Sequence, residues 1–222
     1  MKGRNVFLVI LLLVIADQAL KIYIKTNYQL EDSHNIAGQW FKLYFVENEG
    51  MAYGWQFGGQ WGKIILTLFR LAAVIFGVFY LQQIVRKKYH PGFIFCASLI
   101  FAGALGNLLD SMFYGLIFEE STMHSVAKIF PAHGYAGFLH GRVVDMLYFP
   151  IIPNGHFPSW VPRWGGTNFI FFSPIFNLAD ASISTGVISI LVFQGKFFRH
   201  RVRDASRTVE TSALVNDEVQ VS

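Results

Sequence analysis

Four windows of about twenty mostly apolar residues govern what this 222-residue chain can become, because a helix of about that length crosses the hydrocarbon of a bilayer. Val6 to Ile24 is interrupted only by Asp17, Gln18 and Lys21, and Gly62 to Val85 by Lys63, Arg70 and the Gln82–Gln83 pair. Phe93 to Phe118 carries Asn107, Asp110 and Ser111, and Phe176 to Phe198 is apolar after a first turn holding Asn177 and Asp180. Only 14% of residues are charged, against about 25% in a soluble domain, and 53% are hydrophobic, so a water-exposed globular fold is excluded. A lone cysteine, Cys96, excludes an intrachain disulfide framework and a four-thiolate metal site. The basic start Met1–Arg4 resembles a secretory leader, but the apolar run is too long and no small-residue cleavage site follows Asp17; it reads as a retained helix.

The net charge of +4 is placed as orientation signals, not as a nucleic-acid surface. Lys2 and Arg4 precede the first window, Arg86, Lys87 and Lys88 follow the second, and Lys196, Arg199, Arg201 and Arg203 follow the fourth. With four crossings these clusters share one side, which predicts both termini inside (N-in, C-in) and residues 27–61 and 119–175 outside, against the smaller opposing pull of Lys21 and Lys25. Trp40–Val46 is aromatic and β-branched, Asn48-Glu49-Gly50 is a turn signal, and Met51–Phe57 is expected to return as a second strand. The result is a small extracytoplasmic β hairpin, or cradle, at the membrane interface, in an otherwise all-α membrane protein. The second outer segment is rich in Gly, Pro and aromatics, with Asn168–Phe172 its best strand. Residues 1–203 form one expected membrane domain; 204–222 is a polar tail without periodicity, expected to be disordered.

Ionisable groups inside a span each oppose insertion by roughly 2.5–3.5 kcal/mol, and this chain gathers several at one depth. Asp17 and Lys21 are i,i+4, while Asn107–Asp110 and Asn177–Asp180 are each i,i+3, so each pair shares a helix face. Asp145 lies between the third and fourth windows. Each feature has a plainer role: Asp17 and Lys21 can neutralise one another, and Asn107 and Asp110 can be interhelical glue beside Gly103 and Gly106. Asp180 can serve only the helix dipole, and Asp145 can be a loop acid. Jointly, four acids at one level point to a polar site near the outer interface. His124, His133 and His140 have spacings that gather no zinc ligands. A Ser111–Lys21 pair is weakened because an ammonium paired with Asp17 is a poor base. Two carboxylates sharing one proton remain the best engine, one activating water and the other protonating a peptide carbonyl. A small proton-coupled membrane carrier using Asp17, Lys21 and Asp110 is the alternative, although no inverted repeat is visible.

At these residues the chain resembles the lipoprotein signal peptidase (signal peptidase II) family of bacterial membrane aspartyl proteases. The resemblance is an ordered set: Asp17-Gln18-x-x-Lys21, Asn48-x-Gly50-x-Ala52-Tyr53-Gly54, Gly103 to Asp110, Val143-Val144-Asp145, and Phe176-Asn177-Leu178-Ala179-Asp180. It implies that Asp145 and Asp180 are the catalytic dyad and that Asp17, Lys21, Asn48, Gly50, Asn107, Asp110, Asn177 and Ala179 support or line the site. It also implies diacylglyceryl-modified prolipoproteins as substrates, cut just before the lipidated cysteine. No metal or organic cofactor is implied. Membrane lipids are implied as surroundings, globomycin-like cyclic peptides as inhibitors, and the bacterial cytoplasmic (inner) membrane, with the site near its periplasmic face, as location. Two departures stand out. The family usually has Arg where this chain has Ser111, for which Arg142 is the expected replacement charge, and the spacings Asp110–Asp145 and Asp145–Asp180 are longer, placing insertions in 114–140 and 150–174.

Overall fold

The computed structural model describes residues 1–49, 59–171 and 173–198. Four helices are long and apolar enough to cross a membrane: α1 (Gly3–Asn27), α2 (Gly59–Arg86), α3 (Pro91–Ile117) and α4 (Leu178–Phe198). They match the four windows, each with slightly different ends. At the fourth, Ile175–Phe176 is still extended and the helix begins at Leu178. α3 is the central helix, packed on α1, α2 and α4, and its Gly103 and Gly106 explain why the packing is close. A Cβ on Gly103 would lie 2.3 Å from the carbonyl oxygen of Ala179, and one on Gly106 would lie 2.7 Å from an Asp17 carboxylate oxygen. The outer faces of α1, α2 and α4 expose Phe7, Leu12, Phe69, Phe76, Phe79, Leu191 and Val192, as lipid-facing surface requires. Four such helices make this a multi-pass membrane protein.

α3 does not run regularly to its end. A π-helical stretch, Asp110–Tyr114, interrupts it before the last turn. Such a bulge re-aims side chains and is frequent at functional sites; here it begins at Asp110 and contains Ser111.

The β element is larger than a hairpin. β1 (Ser33–Ala37), β2 (Phe41–Asn48), β3 (Val143–Tyr148) and β6 (Ile175–Phe176) form one antiparallel sheet in the order β1-β2-β3-β6. β2 therefore pairs with β1 and with the sequence-distant β3, where Val46 faces Asp145 and Asn48 faces Val143. The expected returning strand, 51–57, lies outside the described residues, as do Gly50 and the tail 204–222. β4 (Ile152–His156) and β5 (Asn168–Phe171) form a separate two-stranded sheet within residues 150–174, with β5 where the best strand of that segment was expected. One face of the main sheet closes a small core: Phe45, Val144 and Met146 pack with Ile24 of α1 and with Tyr114 and Phe118. The other face carries Asp145.

Candidate active site

Lys21 is completely buried and forms two ion pairs, to Asp17 at 2.9 Å and to Asp110 at 2.7 Å. It also donates to Asn107 Oδ1 at 2.8 Å. Gln18, one residue beyond Asp17, donates to Asp110 Oδ1 at 2.8 Å and to the Gly106 carbonyl at 3.2 Å, and accepts from Tyr114 Oη at 3.1 Å. α1 and α3 are thus locked at one depth by a cation between two acids.

Each of these two acids also grips a backbone amide. Asp17 Oδ1 accepts from the N–H of Ala179 at 2.9 Å, and Asp110 Oδ2 accepts from the N–H of Val144 at 3.4 Å. Ala179 immediately precedes Asp180, and Val144 immediately precedes Asp145. The inner acids therefore fix the backbone on which the two outer aspartates are carried.

Asp145 and Asp180 meet through asparagine amides. Asn177 Nδ2 donates to Asp145 Oδ1 at 2.7 Å, and Asn177 Oδ1 accepts from the Asp180 N–H at 2.9 Å. The Asn177 N–H returns to Asp180 Oδ2 at 3.4 Å, so Asn177 and Asp180 close a reciprocal capping box at the head of α4. Asn107 Nδ2 donates to Asp180 Oδ1 at 2.7 Å, and Asn48 Nδ2 donates to Asp145 Oδ2 at 3.3 Å. Asp145 is 3% exposed, whereas Asp180 is half-buried and so opens toward the surface. Burial and the neighbouring charge of Asp180 push the Asp145 carboxyl up to about 7, against the opposing pull of Asn48, Asn177 and Lys21. A carboxyl titrating there can hold a proton near neutral pH, which is the chemical requirement for a general acid.

The anticipated residues Asp17, Lys21, Asn48, Asn107, Asp110, Asp145, Asn177, Ala179 and Asp180 are thus brought into one hydrogen-bonded set, while Gly50 lies outside the described residues. Arg142 goes elsewhere. Its guanidinium pairs with Glu47 at 3.3 Å, Glu49 at 3.0 Å and Glu120 at 3.2 Å. The side chain that reaches Ser111 is Arg70 of α2, whose Nη1 donates to Ser111 Oγ at 3.0 Å and whose charge interacts with Asp180, Asp110 and Asp145. Sequence reasoning missed Arg70 and the bridging role of Gln18. The signal for Arg70 was present, since an arginine in the middle of an apolar span calls for a partner.

The signal peptidase II family model matches residues 9–196. A lipoprotein signal peptidase of Porphyromonas gingivalis is 49% identical over 193 residues, covering 86% of this chain and 83% of that protein. One from Amoebophilus asiaticus is 35% identical over 185 residues, covering 82% and 74%. Two solved structures described as bacterial membrane enzymes share the fold, with TM-scores of 0.55 and 0.51 at 24% and 23% identity, covering 87% and 86% of this chain and 89% and 92% of theirs. A family model spanning nearly the whole helical body, with a relative about half identical across it, establishes that this chain belongs to the signal peptidase II family.

Proposed function

We propose that this chain is a membrane aspartyl endopeptidase that removes the signal peptide from diacylglyceryl-modified prolipoproteins, cutting just before the lipidated cysteine, with Asp145 and Asp180 as its catalytic residues. The observation that carries the reading is the contrast in partners. Among the described residues, the ion pairs of the polar core go to Asp17 and Asp110, while Asp145 and Asp180 are held by amides and joined through Asn177. A pair held this way keeps one exchangeable proton. Asp180, the more open of the two, takes a proton from water as the oxygen attacks the scissile carbonyl carbon, and Asp145 gives its proton to the carbonyl oxygen. The gem-diol collapses when Asp145 recovers a proton from one hydroxyl and Asp180 delivers the proton it took from water to the leaving nitrogen, so the peptide bond breaks and the dyad returns to its starting state.

Asn48 and Asn177 orient Asp145, Asn107 orients Asp180, and the Asp17–Lys21–Asp110 set holds both backbones. Arg70 contributes the positive charge that Ser111 does not. The stacked rings of Phe41 and Phe149, 4.6 Å apart, run on to Phe176, next to Asn177, and offer the acylated substrate an aromatic ledge. Charge placement supports both termini inside the cytoplasmic membrane and the dyad toward the periplasm; globomycin-like cyclic peptides are expected to occupy the dyad. The carrier alternative needs Asp17, Lys21 and Asp110 as a relay, yet these groups close on one another.

The test is a gel-shift cleavage assay on diacylglyceryl-modified prolipoprotein in detergent. Wild type should cut before the lipidated cysteine, and Asp145→Asn and Asp180→Asn should each lose about a thousandfold or more in rate while remaining folded. Comparable turnover by either variant would move the active carboxylates elsewhere.

A further inference from the structure

The segment 118–142 closes on a charged cluster that the cleavage chemistry does not use. Glu47 of β2 is only 3% exposed at its side chain and binds the fully buried Lys25 of α1, together with Ser121 Oγ at 2.8 Å and Arg142. Lys25 Nζ also donates to Ser121 Oγ at 2.7 Å. Glu49, two residues on, binds Arg142 and Lys63 of α2. The ring of Tyr135 stands between two cations, 4.9 Å from Lys25 Nζ and 5.3 Å from Arg142 Cζ, while its hydroxyl accepts from the Arg142 N–H at 2.6 Å. Burial holds the Tyr135 hydroxyl above its ordinary titration range, so it stays neutral. Three glutamates (47, 49, 120) face three cations (Lys25, Lys63, Arg142), so the cluster is neutral and imposes little field on a distant carboxylate.

Asn48 lies between the two clamped glutamates. Side chains alternate along a strand, so Glu47 reaches the cluster on one face of β2 while Asn48 reaches Asp145 on the other. The Asn48–Asp145 hydrogen bond is long, at 3.3 Å, and weakens with any further drift of the strand end. We propose that residues 118–142 and their charged clasp are a positioning device, with Arg142 at its centre, that holds the end of β2 so that Asn48 stays in reach of Asp145. This rests on the reading of Asp145 as a reacting carboxylate. This segment thus acts on the reaction through Asn48, without touching substrate.

The groups around Asp145 are Asp180 of α4, Lys21 of α1, Arg70 of α2, and the amides of Asn48 and Asn177, with Asp110 of α3 gripping the adjacent backbone. Of these, only Asn48 is carried by the clasped strand end. The full chain, in detergent, is assayed for prolipoprotein cleavage across pH as wild type, Asn48→Ala, Arg142→Gln, the double variant, Ser121→Ala and Asp145→Asn. Arg142→Gln is expected to lower kcat about tenfold with little change in KM. It should also move the alkaline limb of the profile upward, in the direction Asn48→Ala moves it, because Asn48 favours the ionised form of Asp145. The double variant should be no worse than Asn48→Ala alone. Ser121→Ala should give a smaller shift of the same sign, and decides the matter if Arg142→Gln does not fold. A wild-type limb in the clasp variants, or full additivity with Asn48→Ala, overturns the proposal. An active Asp145→Asn instead overturns the dyad, a separate result.

Discussion

The polar core contains two pairs of aspartates, and they differ in what makes their burial tolerable. Asp17 and Asp110 share a buried ammonium, with their remaining lone pairs on backbone amides of α4 and β3. Among the described residues, the short hydrogen bonds to Asp145 and Asp180 come from neutral amides, so one of them is stabilised best by keeping a proton. Pairing converts an acid into a fixed joint between helices, whereas sharing a proton keeps it reactive. The same residue type thus yields architecture in one layer and chemistry in the next.

The sharpest way to break that contrast is to remove the inner cation. Lys21→Met leaves Asp17 and Asp110 buried without a counter-charge, and losing one partner of a buried pair costs about 3–5 kcal/mol. The expected outcome is a large fall in thermal midpoint in detergent and loss of cleavage with it, whereas Asp180→Asn should lose cleavage with little change in midpoint. A Lys21→Met protein that melts like wild type would show that the inner pair is not the joint inferred here.

Arg70 tests whether the outer pair is as independent of cations as its short-range contacts indicate. Arg70→Gln keeps a hydrogen-bonding side chain in α2 but removes the charge that interacts with Asp180, Asp110 and Asp145. Loss of about 1.5–3 kcal/mol, a fall in cleavage of roughly ten- to a hundredfold, is expected, by analogy with hydrogen bonds to charged groups. Arg70→Lys should recover part of it. Unchanged cleavage in Arg70→Gln would confine its role to holding Ser111.

The pH profile sharpens the contrast from the other side. Asp145 titrates at about 7, so wild-type cleavage should fall above that pH as the dyad loses its last proton. The sign for Asn177 follows directly: its amide stabilises the ionised Asp145, so removing it raises the pKa and carries the alkaline limb upward. Asn177→Ala is expected to move the limb by about one unit, worth about 1.4 kcal/mol, with a lower maximal rate. A limb that moved downward would contradict the assigned direction of that hydrogen bond.

How much of this was legible in the sequence follows from the range of each interaction. The four spans are local properties of composition and length, so they could be read directly. The i,i+3 and i,i+4 spacing of Asp17–Lys21, Asn107–Asp110 and Asn177–Asp180 also gave the inward faces, because helix geometry fixes them. The sheet could not be read in the same way. β2 pairs with β3 across nearly a hundred residues, and β3 shows no polar alternation because both its faces are buried. Arg142 was mistaken for the replacement charge because nearness along the chain to Asp145 says nothing about which strand face a side chain takes. Arg70 was passed over because its partner, Ser111, lies on another helix and carries no charge to announce the pairing.

The smallest expected effect concerns one arginine with two carboxylates at nearly equal distance. Arg142 Nη1 lies 3.3 Å from Glu47 and 3.2 Å from Glu120, yet the Glu47 side chain is 3% exposed and the Glu120 side chain 59%. Distance alone would rank the two pairs as equals. Solvent screening ranks them apart: an exposed pair contributes about 0–1 kcal/mol and fades with salt, while neutralising the buried Glu47 carboxylate takes the counter-charge from the buried Lys25 ammonium. Glu120→Gln should therefore lower the thermal midpoint only slightly, by an amount that shrinks further in high salt. Glu47→Gln should lower it several times more, with little salt dependence. Equal losses for the two would mean that burial does not set the strength of this clasp, and the distinction between cation-locked and proton-sharing acids at the core would lose its physical basis as well.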